Sequence, residues 1–117
     1  MYPSTINRYI MLNKQAIVEM LRTRDAAIAR ALVALTARQT ADEKVQETVK
    51  YQNGEGYRPC HARMGTSMSQ FFQQNGYLSP KQVAYWRHLD KNGKMRIEVY
   101  ANQLLRIAQQ KQAAVTA

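Results

Sequence analysis

Apolar residues in the first third of the chain recur at the spacing of an α-helix. Between positions 14 and 39 they stay in phase at about 100° per residue, which places them on one face of a helix. The residues on this face are Ile17, Leu21, Ile28, Leu32 and Leu35. Arg24 falls inside the same face. The pattern therefore predicts either one long Ala-rich helix over 13–39 or a helix pair that breaks near "RTRD", with Thr23 as the cap of the second helix.

A capping signal and a loop signal follow in the middle of the chain. Thr40 and Glu43 have the S/T-x-x-E spacing of a capping box, which indicates a short helix that starts there and ends near Tyr51. The segment 53–61 begins "NGEGYRP" and predicts a loop, because glycine tolerates positive φ and proline lacks a backbone donor.

A face of Met and Phe marks the helix predicted after this loop, over about 61–74. Its members recur at i, i+4, i+7 and i+8 and are Met64, Met68, Phe71 and Phe72. A face of this composition is typical of a packed core rather than of a ligand site. Gly76 follows in an Asn-Gly pair, and glycine at this position predicts a left-handed cap that ends the helix.

The segment 79–110 has the pattern of a helical hairpin. Its first helix starts with an N-cap serine, a first-turn proline and a capping-box glutamine, which are Ser79, Pro80 and Gln82. Val83, Trp86 and Leu89 form the apolar face of this helix. We expect Trp86 to be buried against the last helix, with Leu89 and Leu104 near it. Asn92-Gly93 predicts the end of the first helix.

The second helix of the hairpin starts in a stretch that also resembles a strand. The letters "MRIEVY" at 95–100 alternate in polarity, but the apolar residues over 97–108 fill one arc of a helical wheel. The sequence therefore predicts a helix here, followed by a polar tail that frays over 111–117. The predicted fold is all-α: a small helical bundle that forms a single domain over 1–117.

The composition favours an anionic partner. The chain has 117 residues, a net charge of +9 and a pI of about 10.0, which points to nucleic acid before an acidic protein or an anionic membrane. The single cysteine, Cys60, excludes an internal disulfide framework and suits a reducing compartment. The chain shows neither a secretory signal pattern nor an apolar run long enough to span a membrane. We therefore expect a cytoplasmic protein without a membrane partner.

The positive charge is concentrated in the second half of the chain. Residues 1–50 carry eight Lys or Arg and five Asp or Glu, whereas residues 51–117 carry nine and three. Lysine and arginine neutralise phosphates, and exposed aromatic rings stack on unpaired bases. The predicted nucleic-acid or anion-binding residues are Tyr57, Arg58, Arg63, Lys81, Tyr85, Arg87, His88 and Lys91. The alternative is that the outer face of the helix over 81–91 is simply a solvated face.

The sequence offers no catalytic constellation. Cys60 and His61 are adjacent and His88 is the other histidine, so the four-ligand spacing of a zinc site is absent. A Cys60–His61 nucleophile pair has no evident carboxylate to orient its base, and "NGEG" lacks the spacing of a phosphate-binding loop. We predict no catalytic residue, no metal and no cofactor, and hence no enzyme.

Four motifs together resemble those of a set of small proteins from phages, prophages and plasmids. They are "RALVALTARQTADEK" (30–44), "TVKYQNGEGY" (48–57), "LSPKQ" (78–82) and "YANQLLRIA" (100–108), in the same order as the RQTxDE, NGxGF, LSPKQ and KYxxQL motifs of that set. This chain departs from the set near His61, where an Asp-Ala pair is common. The resemblance implies a mobile-element origin and a small helical module, without implying a reaction.

Two functions fit these observations. One is a small nucleic-acid-binding accessory protein of a phage or mobile element, which acts on DNA or RNA through phosphate contacts. The other is a mobile-element-encoded inhibitor or adaptor that docks on a host protein complex, such as a host enzyme or a defence complex. Retention of a partner after nuclease treatment distinguishes the second function from the first.

Overall fold

Five α-helices and one short 3₁₀ helix make up the computed structural model, which describes residues 13–49 and 56–116, with side chains over 13–39 and 56–111. The α-helices are α1 (Lys14–Thr23), α2 (Asp25–Val49), α3 (Pro59–Asn75), α4 (Pro80–Arg87) and α5 (Ala101–Thr116), and the 3₁₀ helix (Arg96–Tyr100) leads into α5. An isolated bridge between Leu89 and Met95 is the only β-type pairing in this part of the chain. The all-α prediction is confirmed.

The N-terminal segment that carries the apolar face over 14–39 folds as a helix pair rather than as one long helix. Arg24 is extended, with φ −124° and ψ 118°, and separates α1 from α2. Thr23 does not cap the second helix, because its hydroxyl donates to the carbonyl of Glu19 in the preceding turn. α2 then runs through Thr40 to Val49, so the prediction of a separate helix starting at Thr40 is wrong. The residues before Thr40 are good helix formers, and nothing ends the preceding helix.

The loop before α3 ends earlier than predicted. Pro59 is the first residue of α3, where its missing N–H costs nothing, so the predicted loop over 53–61 stops at Arg58; its residues 53–55 lie outside the described part. Gly76 ends α3 as predicted, with φ 81° and its N–H donating to the carbonyl of Phe72. The capping box of Ser79 and Gln82 at the start of α4 is likewise confirmed.

The hairpin turn begins sooner than the sequence predicts, because Asp90 captures backbone donors. α4 ends at Arg87, and the Asp90 carboxylate accepts the N–H groups of Asn92 and Lys94. Such local hydrogen bonds compete with the helix. Leu89 consequently leaves the apolar face and is 56% exposed, so its predicted place in the core is wrong.

The second arm of the hairpin is helical, but it does not begin as an α-helix. Met95 caps the 3₁₀ helix, and the Glu98 carboxylate accepts the Met95 N–H. α5 continues to Thr116, so the tail predicted to fray over 111–117 is helical up to that residue, and Ala117 lies outside the described part. No helix among the described residues is both long and apolar enough to cross a membrane.

The core forms where α2, α4 and the 3₁₀ helix meet. Trp86, Ile28, Leu32, Leu35 and Ile97 are its largest fully buried apolar side chains. The predicted burial of Trp86 is therefore confirmed. Its ring lies 6.2 Å from Tyr57 and 6.5 Å from Tyr100 between centroids, rather than beside Leu89.

α3 faces the core with small residues rather than with its Met and Phe face. Gly65 and Ser69 are buried, whereas Met64 is 41% exposed, so the predicted core position of Met64 is wrong. The cause is the ring of Tyr57, which fills the space beside Gly65. Met68 and the two phenylalanines of that face, Phe71 and Phe72, are half-buried.

A buried glutamine ties the residues before α3 to α5. The side-chain amide of Gln103 accepts the Gly56 N–H at 2.6 Å and donates to the Gly56 carbonyl at 3.1 Å. Gly56 has φ 86°, and a β carbon there would lie 2.6 Å from the Cα of Gln39 in α2. Both the left-handed backbone and the close approach require glycine at this position.

Candidate anion-binding surface

Tyr100 fixes the start of α3 against the 3₁₀ helix. Its hydroxyl accepts the backbone N–H of Arg58 at 3.0 Å and shares a 2.5 Å hydrogen bond with Nδ1 of His61. When the hydroxyl donates its own proton to Nδ1, the neutral imidazole carries its hydrogen on Nε2. Tyr100 thereby sets the orientation of the His61 ring.

Two arginines, one before and one after His61 in the sequence, help to lower the pKa of its imidazole. Partial burial, then Arg96, then Arg58 lower the pKa of His61 below its ordinary value of 6.5. No carboxylate of the described residues is among the groups that shift it. Since nearby cations oppose protonation of an imidazole, His61 is neutral at pH 7 and lies in a positive field.

Arg96 is held in place by Tyr85. Its guanidinium carbon lies 3.9 Å from the centre of the Tyr85 ring, and Nη1 donates to the Tyr85 carbonyl at 2.6 Å. The Arg96 N–H also donates to the carbonyl of His88 at 2.9 Å. We call the group of Arg58, His61, Tyr85, Arg96 and Tyr100 the His61 surface.

Tyr57 does not belong to the His61 surface, and its predicted stacking role is wrong. The side chain is buried, and its hydroxyl donates to the Leu32 carbonyl at 2.8 Å and lies 3.1 Å from the Thr36 hydroxyl. Burial raises its pKa to about 12. The ring is enclosed because Gly65 leaves room for it under α3.

Arg87 ties helices together instead of facing solvent as predicted. Nε donates to the Leu21 carbonyl at 2.9 Å, and Nη1 pairs with the Asp25 carboxylate at 2.7 Å. Its remaining terminal nitrogen, Nη2, is buried without a partner among the described residues. The prediction that Arg87 is an open phosphate contact is therefore wrong, because the residue spans from α4 to the corner between α1 and α2.

The other predicted residues are distributed over several elements. Arg63, Lys81, His88 and Lys91 are exposed, as a binding role requires. Among the contacts of the described residues, only the His88 carbonyl joins this group to the His61 surface. Tyr85 belongs to that surface, but one face of its ring is already covered by Arg96.

Sequence reasoning missed Arg96 and Tyr100 as site residues. Both lie in the 3₁₀ helix, whose tighter turn differs from the α-helix expected there. The available signal was the position of Arg96 in the basic second half of the chain, close behind the Asn92-Gly93 turn.

The side chains of the His61 surface include donors of the kind that bind phosphate oxygens. Arginine donates in a fork that matches phosphate oxygens, and the imidazole adds a further donor. Cys60 is exposed beside it as a free thiol. Within the part of the chain that the structure describes, no three His, Cys, Asp or Glu residues cluster as a metal site would need.

Comparison of the chain with family models, with curated proteins and with solved structures gave no match.

His61 should make the stability of the protein depend on pH. Its folded-state pKa lies below 6.5, so as the pH falls through this value the unfolded chain takes up the proton first, and stability declines. Above 6.5 the contribution is complete. The groups that face the ring are Arg58, Arg96, Tyr100 and Trp86.

The measurement compares thermal unfolding midpoints at about pH 7 and pH 5.5, a window in which ordinary carboxylates stay ionised. From the higher to the lower pH, the unfolding midpoint of the wild-type protein should fall by more than that of His61→Gln. His88→Gln is the matched control, because His88 is exposed. Equal losses in wild type and His61→Gln would contradict the assignment.

Proposed function

We propose that the chain is a small nucleic-acid-binding accessory protein that acts through phosphate contacts without catalysis. One arrangement carries this proposal: the Tyr100 hydroxyl bonds both the Arg58 N–H and Nδ1 of His61, Arg96 is held over the Tyr85 ring, and no described carboxylate forms an ion pair with either arginine. The resemblance of four motifs to small phage, prophage and plasmid proteins supports a mobile element as the source of the chain.

The four carboxylates whose side chains the structure describes bond to groups that are not members of the His61 surface. Ion pairs among the described residues join Glu19 to Arg22 and Asp25 to Arg87. Asp90 closes the hairpin turn, and Glu98 caps the 3₁₀ helix. No described carboxylate therefore neutralises Arg58 or Arg96 by an ion pair.

Phosphate contact is favoured over base stacking as the binding mode. The two tyrosines predicted as stacking platforms are unsuited to that role, because Tyr57 is buried and Tyr85 is covered by Arg96 on one face. Phosphate contacts carry no sequence information, so binding should vary little with base sequence and steeply with salt.

A salt series with paired charge variants tests the proposal. In Arg58→Gln/Arg63→Gln both changed side chains are exposed. The double variant should bind a duplex oligonucleotide more weakly, and the slope of log K against log salt should decrease by about 0.9 for each lost contact.

Lys14→Gln/Arg22→Gln is the matched control, because it removes the same charge from exposed positions of α1. The control should keep the wild-type slope. If both double variants lose affinity equally, binding comes from net charge alone and the His61 surface is not the site. Absence of oligonucleotide binding by wild type at low salt would remove the proposed function.

A second function, docking of the chain on a host protein complex as an inhibitor or adaptor, is supported by an apolar groove on another part of the fold. The groove lies between α1, α2 and α5. Purification of tagged protein from host cells with and without nuclease distinguishes the two functions. A defined partner that is kept after nuclease and lost in groove variants favours docking, whereas loss of all partners on nuclease treatment favours nucleic acid.

A further inference from the structure

Three helices leave an unfilled apolar groove between them. It has a volume of about 390 Å³ and is lined by one face each of α1, α2 and α5. On α2 and α5 the lining residues recur at i, i+3, i+4 and i+7, over 27–34 and 104–111, and α1 contributes Ile17, Met20 and Leu21 at i, i+3 and i+4. This is the spacing of a single helical face, so the groove has the walls that helix packing requires.

The base of the groove is apolar, and the side of the groove that α2 forms consists largely of small residues. Ile17, Leu21 and Ile107 are buried at its base. Alanines such as Ala27 and Ala34 form the wall on α2 and are half-buried. Small residues let the backbone of another helix come close. Seven residues at about 1.5 Å rise each make the groove roughly 10 Å long, or two turns of a helix.

The rim of the groove is basic. Three exposed cations lie there: Arg24 between α1 and α2, Arg30 on α2 and Lys111 on α5. No carboxylate is among the described residues that line the groove. An apolar floor with a rim of one sign is complementary to a segment that has an apolar stripe and acidic flanks.

We propose that this groove receives an amphipathic acidic helix of a partner protein, two turns of which insert two or three apolar side chains. Residues 1–12 contain Arg8 and no acid, so their charge does not complement the basic rim. A second copy brings a net charge of +9 toward a basic rim. The groove is half-open, whereas a small ligand is normally enclosed over most of its surface.

Two synthetic helical peptides serve as probes. One carries leucines at i, i+3, i+4 and i+7 with glutamates on its flanks. The other has the same composition in scrambled order and therefore the same charge without an apolar stripe. The protein should bind the first peptide at least about tenfold more tightly than the second, measured by calorimetry on the full chain.

Two variants locate the binding in the groove. Ala27→Leu/Ala34→Leu fills the groove without changing the charge, and it should weaken binding of the amphipathic peptide by about tenfold or more. Arg24→Gln/Arg30→Gln removes two rim charges and should weaken binding and reduce its salt dependence. Lys14→Gln/Arg22→Gln is the charge-matched control and should bind as wild type does. If Ala27→Leu/Ala34→Leu does not fold, the peptide affinities of Arg24→Gln/Arg30→Gln and Lys14→Gln/Arg22→Gln are compared. Weaker binding by the first of these than by the second then supports the groove as the binding site.

Several outcomes would overturn the proposal. Equal binding of the scrambled peptide would reduce it to non-specific attraction by the net charge. Unchanged binding in the filled variant and in Arg24→Gln/Arg30→Gln would place the peptide elsewhere. Dodecanoate binding in the groove without peptide binding would identify an acyl carboxylate as the ligand, and peptide binding only after removal of residues 1–12 would identify that segment as the occupant. None of these outcomes depends on whether the His61 surface binds nucleic acid.

Discussion

Replacement of Trp86 by alanine is expected to lower the free energy of unfolding by about 3–5 kcal/mol. The side chain is fully buried, and its indole N–H donates to the sulfur of Met68 at 3.1 Å. Four aromatic rings surround it: Tyr57, His61, Tyr85 and Tyr100. Removal of the indole leaves a cavity where α3, α4 and the 3₁₀ helix meet, and these elements cannot all collapse into it.

Urea denaturation of wild type and Trp86→Ala measures this loss. Tyr77→Ala is the matched aromatic control, because Tyr77 is 57% exposed and its removal should change the stability by less than about 1 kcal/mol. A Trp86→Ala protein as stable as wild type would show that the core is not centred on the indole.

Gly65→Ala is expected to destabilise the protein by about 1–3 kcal/mol, although alanine is normally the better helix former by about 1 kcal/mol. A β carbon at position 65 would lie 2.3 Å from Cζ of Tyr57. The Tyr57 ring cannot easily retreat, because its hydroxyl is bonded to the Leu32 carbonyl. The steric clash therefore outweighs the gain in helix propensity.

A double-mutant cycle with Tyr57→Ala isolates this contact. In the Tyr57→Ala background the clash is absent, so Gly65→Ala should be neutral or stabilising. Ser67→Ala, at an exposed position of the same helix, controls for helix propensity. If Gly65→Ala destabilises both backgrounds equally, the close approach of Tyr57 to α3 is not its cause.

The fold class, the end of α3 and the start of α4 could be predicted from local signals, because caps and periodic faces act over a few residues. The sequence-based predictions were wrong where a residue distant in sequence, or a turn that competes with a helix, determined the local structure. Asp90 ended α4 early by binding backbone donors two and four residues ahead. The exposure of Met64 followed from Tyr57, which is close to α3 in space but belongs to the preceding loop.

The candidate site was predictable in its charge but not in its geometry. The sequence indicated that the most basic part of the chain begins at the loop before α3, and Arg58 lies there. It could not indicate that Arg87 reaches back to Leu21 and Asp25, 66 and 62 positions away. Nor could it indicate that Arg96 acts on His61, since that proximity depends on how the 3₁₀ helix packs.

The hydrogen bonds between Gln103 and Gly56 restrict which residues the protein can tolerate at these two positions. Asparagine at position 103 lacks the reach and glutamate lacks the donor, so the pair of bonds to one backbone unit requires glutamine. Position 56 is restricted to glycine by the backbone of α2, which no change of the Gln39 side chain would move. A substitution at 56 is therefore expected to be excluded whatever residue stands at 103, whereas the exposed faces of the helices can vary independently.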